Sequence, residues 1–295
     1  MFDGFTSESI DVAETDIFIR RAGRGPAILL LHGFPQTHVM WRCVAPDLAK
    51  DFSVVCADLR GYGASGKPPS TADHTPYSKR TMARDLVRMM KIIGFDRFSV
   101  AGHDRGGRVA YRLALDHPDC LERLALFDII PTADVFDRAD ARFALAFWPW
   151  SLLAQPAPLP ETLIAAAPDA IIDNALGQWG SNPTAFPSDV REHYVNALRS
   201  PDAVHAICEE YRAAATLDRA HDQVDRRTAR TIQCPVLALW SQDGSLDEWY
   251  ADVGGPLGVL GRWAADLRGR SVPGGHFFPE ENASETVAAL REFML

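Results

Sequence analysis

Short apolar runs alternate with amphipathic stretches through the first third of the chain. Runs over 16–21, 27–32, 52–57, 98–102 and 121–127 have the length and β-branched content of strands. Between them, 39–50, 78–93 and 105–117 show helical spacing of apolar positions. Such alternation predicts parallel pairing in a sheet covered on both faces. From about 131 to 230 the rhythm stops. Proline recurs and the segments between prolines look helical, with no clear strand. It resumes with a strand pattern at 235–241, a helix near 256–266, a strand at 268–272 and a closing helix at 283–293. The pattern therefore predicts an α/β core of a mostly parallel sheet flanked by helices, formed by 1–130 and 231–295. A helical cap, 131–230, is inserted after strand 6.

The chain has 295 residues, 47% of them hydrophobic, enough to bury a sizeable core. Its formal charge of −9 argues against nucleic acid or an anionic membrane surface as partner. An anionic ligand would need a local positive field. Cysteines 43, 56, 120, 208 and 234 are odd in number and scattered, with neither a disulfide framework nor a zinc spacing, so no metal is expected. The acidic start lacks a basic and apolar leader, and no apolar stretch reaches the ~18 residues of a membrane span. A cytoplasmic, soluble protein is expected.

Residues 102–106 read Gly-His-Asp-Arg-Gly, between a strand pattern and a helix pattern. Asp104 thus falls on a sharp strand-to-helix turn, where a G-x-S-x-G elbow carries its nucleophile. A β-carbon at Gly102 or Gly106 would crowd such a turn. The carboxylate redirects the chemistry. A serine that displaced a group from saturated carbon would be left as an ether. A carboxylate is left as an ester, which water can cleave at the enzyme's own carbonyl.

A base, an orienter and oxyanion donors should accompany the nucleophile. His276 lies in Val272-Pro-Gly-Gly-His-Phe-Phe, a glycine-rich loop after the last strand, and would activate water. Asp128 and Asp243 both end strands, and either could orient it. His32-Gly-Phe-Pro35 follows a strand directly, so the Phe34 and Arg105 N–H groups could meet at the ester oxygen. Arg105 and Arg108 share one face of the first turn after the nucleophile, where cations oppose the helix dipole. A bound carboxylate would offset that cost. Trp150 and Tyr211 could offer N–H and O–H donors to a departing halide, or simply pack the cap.

The combination resembles the α/β-hydrolase superfamily and, within it, the fluoroacetate (haloacetate) dehalogenases. The resemblance runs through Leu31-His-Gly-Phe-Pro-Gln-Thr-His38, Asp58-Leu-Arg-Gly-Tyr-Gly, Gly102-His-Asp-Arg-Gly-Gly-Arg108, Phe127-Asp-Ile-Ile-Pro-Thr132, Glu210-Tyr-Arg212 and Gly275-His-Phe-Phe-Pro-Glu. It implies that Asp104 is the nucleophile, His276 the base and Asp128, rather than Asp243, its orienter. It further implies a carboxylate clamp of Arg105 and Arg108, a halide site of Trp150 and Tyr211, no cofactor, and a homodimer. The substrate it implies is a short 2-haloacid, with haloacetate yielding glycolate and halide. Pro149 stands where that family carries histidine beside the tryptophan. Proline has neither a side-chain donor nor a backbone N–H, which predicts poor defluorination, with chloroacetate and bromoacetate favoured.

Two other readings share these residues. An epoxide hydrolase would use the same aspartate with Tyr194 and Tyr211 as ring-opening acids, but would leave the arginine pair without purpose. A catalytically silent ligand-binding protein could keep the same fold.

Overall fold

The computed structural model describes residues 1–242 and 244–295. Eight strands form one sheet in the order β1-β2-β4-β3-β5-β6-β7-β8. They are β1 (Thr6–Asp11), β2 (Asp16–Ala22), β3 (Ala27–Leu31), β4 (Ser53–Ala57), β5 (Phe98–His103), β6 (Leu121–Phe127), β7 (Val236–Ser241) and β8 (Leu267–Val272). The pairs from β4 through β3 to β8 are parallel, while β1–β2 and β2–β4 are antiparallel. With β1 counted, Leu121–Phe127 is the sixth strand. The helical segment Thr132 to Arg227 leaves the sheet directly after it.

Central strands β3, β5 and β7 are buried at every position. Their side chains divide by the period of two: Leu29, Leu31, Val100 and Ala238 enter one apolar core, while Ile28, Leu30, Ala101 and Leu239 enter the other. A strand buried on both faces has no polar alternation, which is why these segments read as unbroken apolar runs.

Two expectations need correction, and one strand lies where none was expected. β1, Thr-Ser-Glu-Ser-Ile-Asp, is an edge strand with only Glu8 and Ile10 partly covered, and its polar sequence hides it. The helix expected over 39–50 is two short pieces, a 3-10 turn His38–Cys43 capped by Thr37 and an α-turn Ala45–Leu48. Pro46 sits in the first turn of the second piece, where a missing N–H is harmless. The helix expected over 256–266 stops at Leu260, ahead of Gly261. No helix among the described residues is long and apolar enough to cross a membrane.

Candidate active site

The carboxyl ends of β3, β5, β6 and β8 converge, the edge where open α/β sheets carry their sites. Asp104 opens helix Asp104–Asp116 immediately after β5, with φ of 44°. Asp128 follows β6 with φ of 51°. Both occupy left-handed backbone, a conformation that costs on the order of 1–3 kcal/mol and holds only where the surroundings impose it. The elbow is as tight as its glycines imply. A β-carbon on Gly102 would lie 2.6 Å from the Gly106 carbonyl oxygen, and one on Gly106 would lie 2.3 Å from that of His32.

Asp104 is almost fully buried. Its Oδ2 accepts the Phe34 N–H at 2.9 Å. Gly33 permits this approach, since a β-carbon there would come within 2.7 Å of Oδ2. The Arg105 N–H lies in the first helical turn, where no carbonyl of the helix partners it. Oδ1 faces Arg108, whose Nη1 is 3.2 Å away. Burial alone would raise the Asp104 pKa, but Arg108, His276, Arg105 and His103 outweigh it and hold the carboxyl at about 2. It is ionised at any physiological pH.

His276 stands on the loop after β8. Its Nδ1 is 2.6 Å from Asp128 Oδ2, and Asp128 Oδ1 accepts the Ser241 N–H at 3.0 Å. The loop is fixed from three sides. Ser241 Oγ donates to the Gly274 carbonyl at 2.7 Å, the His276 N–H donates to the Trp179 carbonyl at 3.0 Å, and His103 Nε2 donates to the His276 carbonyl at 2.7 Å. Burial lowers the His276 pKa, but the Asp128 hydrogen bond and charge, helped by Asp104, override it and raise the imidazole above its ordinary value. His103 goes the other way: burial and its neighbour His276 push it down to about 3, so it is a neutral donor. Asp243, the rival orienter, lies outside the described residues.

A cavity of about 420 Å³ opens over Asp104 and His276. Pro149, Trp150, Trp179, Tyr211 and Leu246 line it. Among the described residues, neither the Trp150 indole N–H nor the Tyr211 hydroxyl has a hydrogen-bond partner within the protein, so both remain available to the cavity. Pro149 is buried in the first turn of helix Trp148–Leu153, where its lack of an N–H costs the helix nothing. Tyr194 is elsewhere. Its hydroxyl donates to Glu280 at 3.1 Å, so it is not paired with Tyr211 over the nucleophile as the epoxide reading requires.

The two arginines differ in their surroundings. Arg105 is fully buried and gives Nε to both Glu210 oxygens at 2.9 Å and Nη2 to Oε1 at 2.5 Å. Lys79 also contacts Glu210, and Tyr62 donates to it at 3.3 Å. The Arg105 guanidinium carbon lies 4.1 Å from the Tyr211 ring centroid, and that of Arg108 lies 4.5 Å from the Trp150 centroid. Arg105 Nη1 and Arg108 Nε are buried without a partner. Arg108 reaches Asp104, which lines the cavity, while neither guanidinium is itself part of the cavity wall.

Sequence reasoning missed Glu210, Lys79 and Trp179. Glu210 was visible only as the residue before Tyr211, with no local sign of its pairing across the fold. Trp179 stacks on Phe277 with centroids 5.7 Å apart and meets His276 edge-on. Nothing in the sequence around it indicates that contact.

Residues 26–283 match the model of the alpha/beta hydrolase fold family. The chain is 44% identical to a fluoroacetate dehalogenase from Burkholderia sp, over 100% of this chain and 95% of that one. It is 46% identical to a soluble epoxide hydrolase from Corynebacterium sp. (strain C12), over 92% and 91% of the two chains. Among solved structures, a Nostoc sp PCC 7120 protein provisionally named as an alpha/beta hydrolase superposes with a TM-score of 0.95 at 45% identity, covering 100% of this chain and 99% of that one.

Proposed function

The chain belongs to the haloacetate dehalogenase family of the α/β-hydrolase superfamily, as a hydrolase acting on carbon–halide bonds, and we propose that it converts 2-haloacids to 2-hydroxyacids through an ester on Asp104. The observation that carries this reading is the pair of unspent guanidinium donors next to an ionised aspartate. A carboxylate-bearing electrophile uses both.

In this reading the substrate carboxylate docks on Arg105 and Arg108, placing the halogen-bearing carbon before Asp104 Oδ1. Oδ2, already bonded to Phe34, keeps that bond and leaves Oδ1 to attack. The carbon–oxygen bond forms as the carbon–halogen bond breaks, and the halide leaves with its electron pair toward the Trp150 and Tyr211 donors. His276, held by Asp128, then takes a proton from water, which attacks the Asp104 carbonyl carbon. The developing oxyanion falls to the Phe34 and Arg105 N–H groups. Collapse breaks the ester carbon–oxygen bond, the His276 proton passes to the departing alkoxide to release the hydroxyacid, and Asp104 loses its remaining proton to solvent to restore the carboxylate.

The epoxide alternative shares the nucleophile and the base. Against it stands Tyr194, whose hydroxyl is engaged with Glu280, leaving Tyr211 as the one tyrosine lining the cavity among the described residues. The test is halide release from chloroacetate, with styrene oxide as the competing substrate. Chloride release by the wild type that is lost in Asp104→Asn supports the reading. Turnover of the epoxide alone would replace it.

A further inference from the structure

The clamp is asymmetric in a way that bears on which electrophiles the nucleophile accepts. Arg105 is fixed, because Glu210 takes its Nε and Nη2 while Lys79 and Tyr62 hold Glu210 in turn. Arg108 has no such anchor. Among the described residues its one carboxylate partner is Asp104, through Nη1 to Oδ1 at 3.2 Å. The other nucleophile oxygen is occupied by Phe34. Arg108 therefore sits on the same oxygen that must attack.

We propose that Arg108 is a specificity switch: it withholds Asp104 Oδ1 until a substrate carboxylate draws the guanidinium away. Two carboxylates then compete for one guanidinium. A haloacid presents its own anion to Arg108, and the buried, unpartnered Nε adds a second donor for a bidentate grip. Once Nη1 turns to the substrate, the Oδ1 lone pairs are free. A neutral haloamide of the same shape offers no charged acceptor, so the nucleophile it meets stays hydrogen-bonded. The Trp150 ring beside the Arg108 guanidinium gives it a flat surface along which to shift without losing contact. The carboxylate requirement then comes from activation as well as affinity. This inference rests on the dehalogenase reading with Asp104 as nucleophile.

The two ideas separate in one set of measurements. Bromide release from bromoacetate and from bromoacetamide is compared in wild type and Arg108→Gln, with the Asp104→Asn rate subtracted as background. The switch requires kcat/KM for bromoacetate to fall in Arg108→Gln while that for bromoacetamide rises on the order of 10–100-fold, the value of a charged hydrogen bond to the nucleophile. A folded Arg108→Gln enzyme that loses bromoacetate turnover without gaining on bromoacetamide overturns it, leaving Arg108 as a plain anchor. Should that variant not fold, the wild type decides. Acetate added in trans must stimulate Asp104-dependent bromide release from bromoacetamide, and absence of stimulation overturns the switch. Wild-type turnover of bromoacetate that persists in Asp104→Asn would instead remove the dehalogenase reading itself.

Discussion

His276 Nδ1 and Asp128 Oδ2 meet at 2.6 Å between two separate crossovers of the sheet. Ser241 fixes both ends of the contact, its N–H on Asp128 and its hydroxyl on the Gly274 carbonyl of the histidine loop. An imidazole so held has its Nδ1 proton committed, so Nε2 is the free base. Asp128→Asn keeps the shape and removes the charge. It is expected to lower kcat by on the order of 10²–10⁴-fold. Because attack by Asp104 does not use His276, the ester should form and persist, visible by mass spectrometry as substrate bound to the Asp104 peptide. An Asp128→Asn enzyme that turns over normally would remove Asp128 from the mechanism.

The same contact sets the pH dependence. Water activation needs neutral His276, and its pKa is raised above 6.5. The rate should therefore rise with pH, with the acid limb of kcat centred above that value. Asp104, held at about 2, does not titrate in this range. Removing the Asp128 charge takes away what raises the imidazole, so the limb must move to lower pH in Asp128→Asn. Initial rates of chloride release between pH 5 and 9 decide it.

Pro149 makes a prediction about the leaving group. Pro149→His would place a donor in the cavity wall beside Trp150 and Tyr211. Fluoride depends most on donors as charge builds on it, and one donor at such a site is worth on the order of 10²–10³-fold. Fluoroacetate turnover is expected to rise toward that factor and bromoacetate turnover to change by less than about threefold, since bromide needs little help. Fluoride release measured by electrode checks the first, and equal gains on both halides would refute the assignment of the wall to the leaving group.

Part of this arrangement is legible in the amino-acid sequence alone. Asp104 and His276 stand out because a nucleophile elbow and a glycine-rich histidine loop are local sequence features, whereas Asp128 and Asp243 both end strands and local features leave the choice between them open. The central strands were equally plain, since double burial removes polar positions. What stayed hidden depends on partners far away in the chain. β1 is polar because it is an edge, and Glu210 meets Arg105 only after the helical segment folds back over the sheet. The inequality of Arg105 and Arg108 follows from that long-range contact, so helical spacing alone made them look equivalent.

Glu210 gives a stability prediction. Glu210→Gln leaves the fully buried Arg105 guanidinium without its carboxylate, and breaking a buried pair on one side costs about 3–5 kcal/mol. Urea unfolding should show a loss of that size. Any enzyme that remains folded should show a higher KM for bromoacetate with a smaller change in kcat, because Arg105 loses its orientation toward the substrate anion. A variant as stable as wild type would show that the pair is not what holds Arg105.

The cavity itself bounds the substrate from above. A haloacetate has roughly as many non-hydrogen atoms as five waters, a volume on the order of 150 Å³ by liquid packing. The cavity measures about 420 Å³, and Ala146, Phe147, Pro149 and Leu246 supply apolar parts of its wall. An α-alkyl group on the acid would lie against these apolar side chains. Each buried methylene is worth about 0.8 kcal/mol, so the ethyl group of 2-bromobutanoate should lower KM about tenfold relative to bromoacetate. Ala146→Trp fills the wall from the rim, where the native side chain is exposed. It should abolish that advantage while leaving the KM for bromoacetate within about threefold. A KM that instead climbs with chain length in the wild type would mean that the apolar wall closes on the small substrate, and that the free volume is not used.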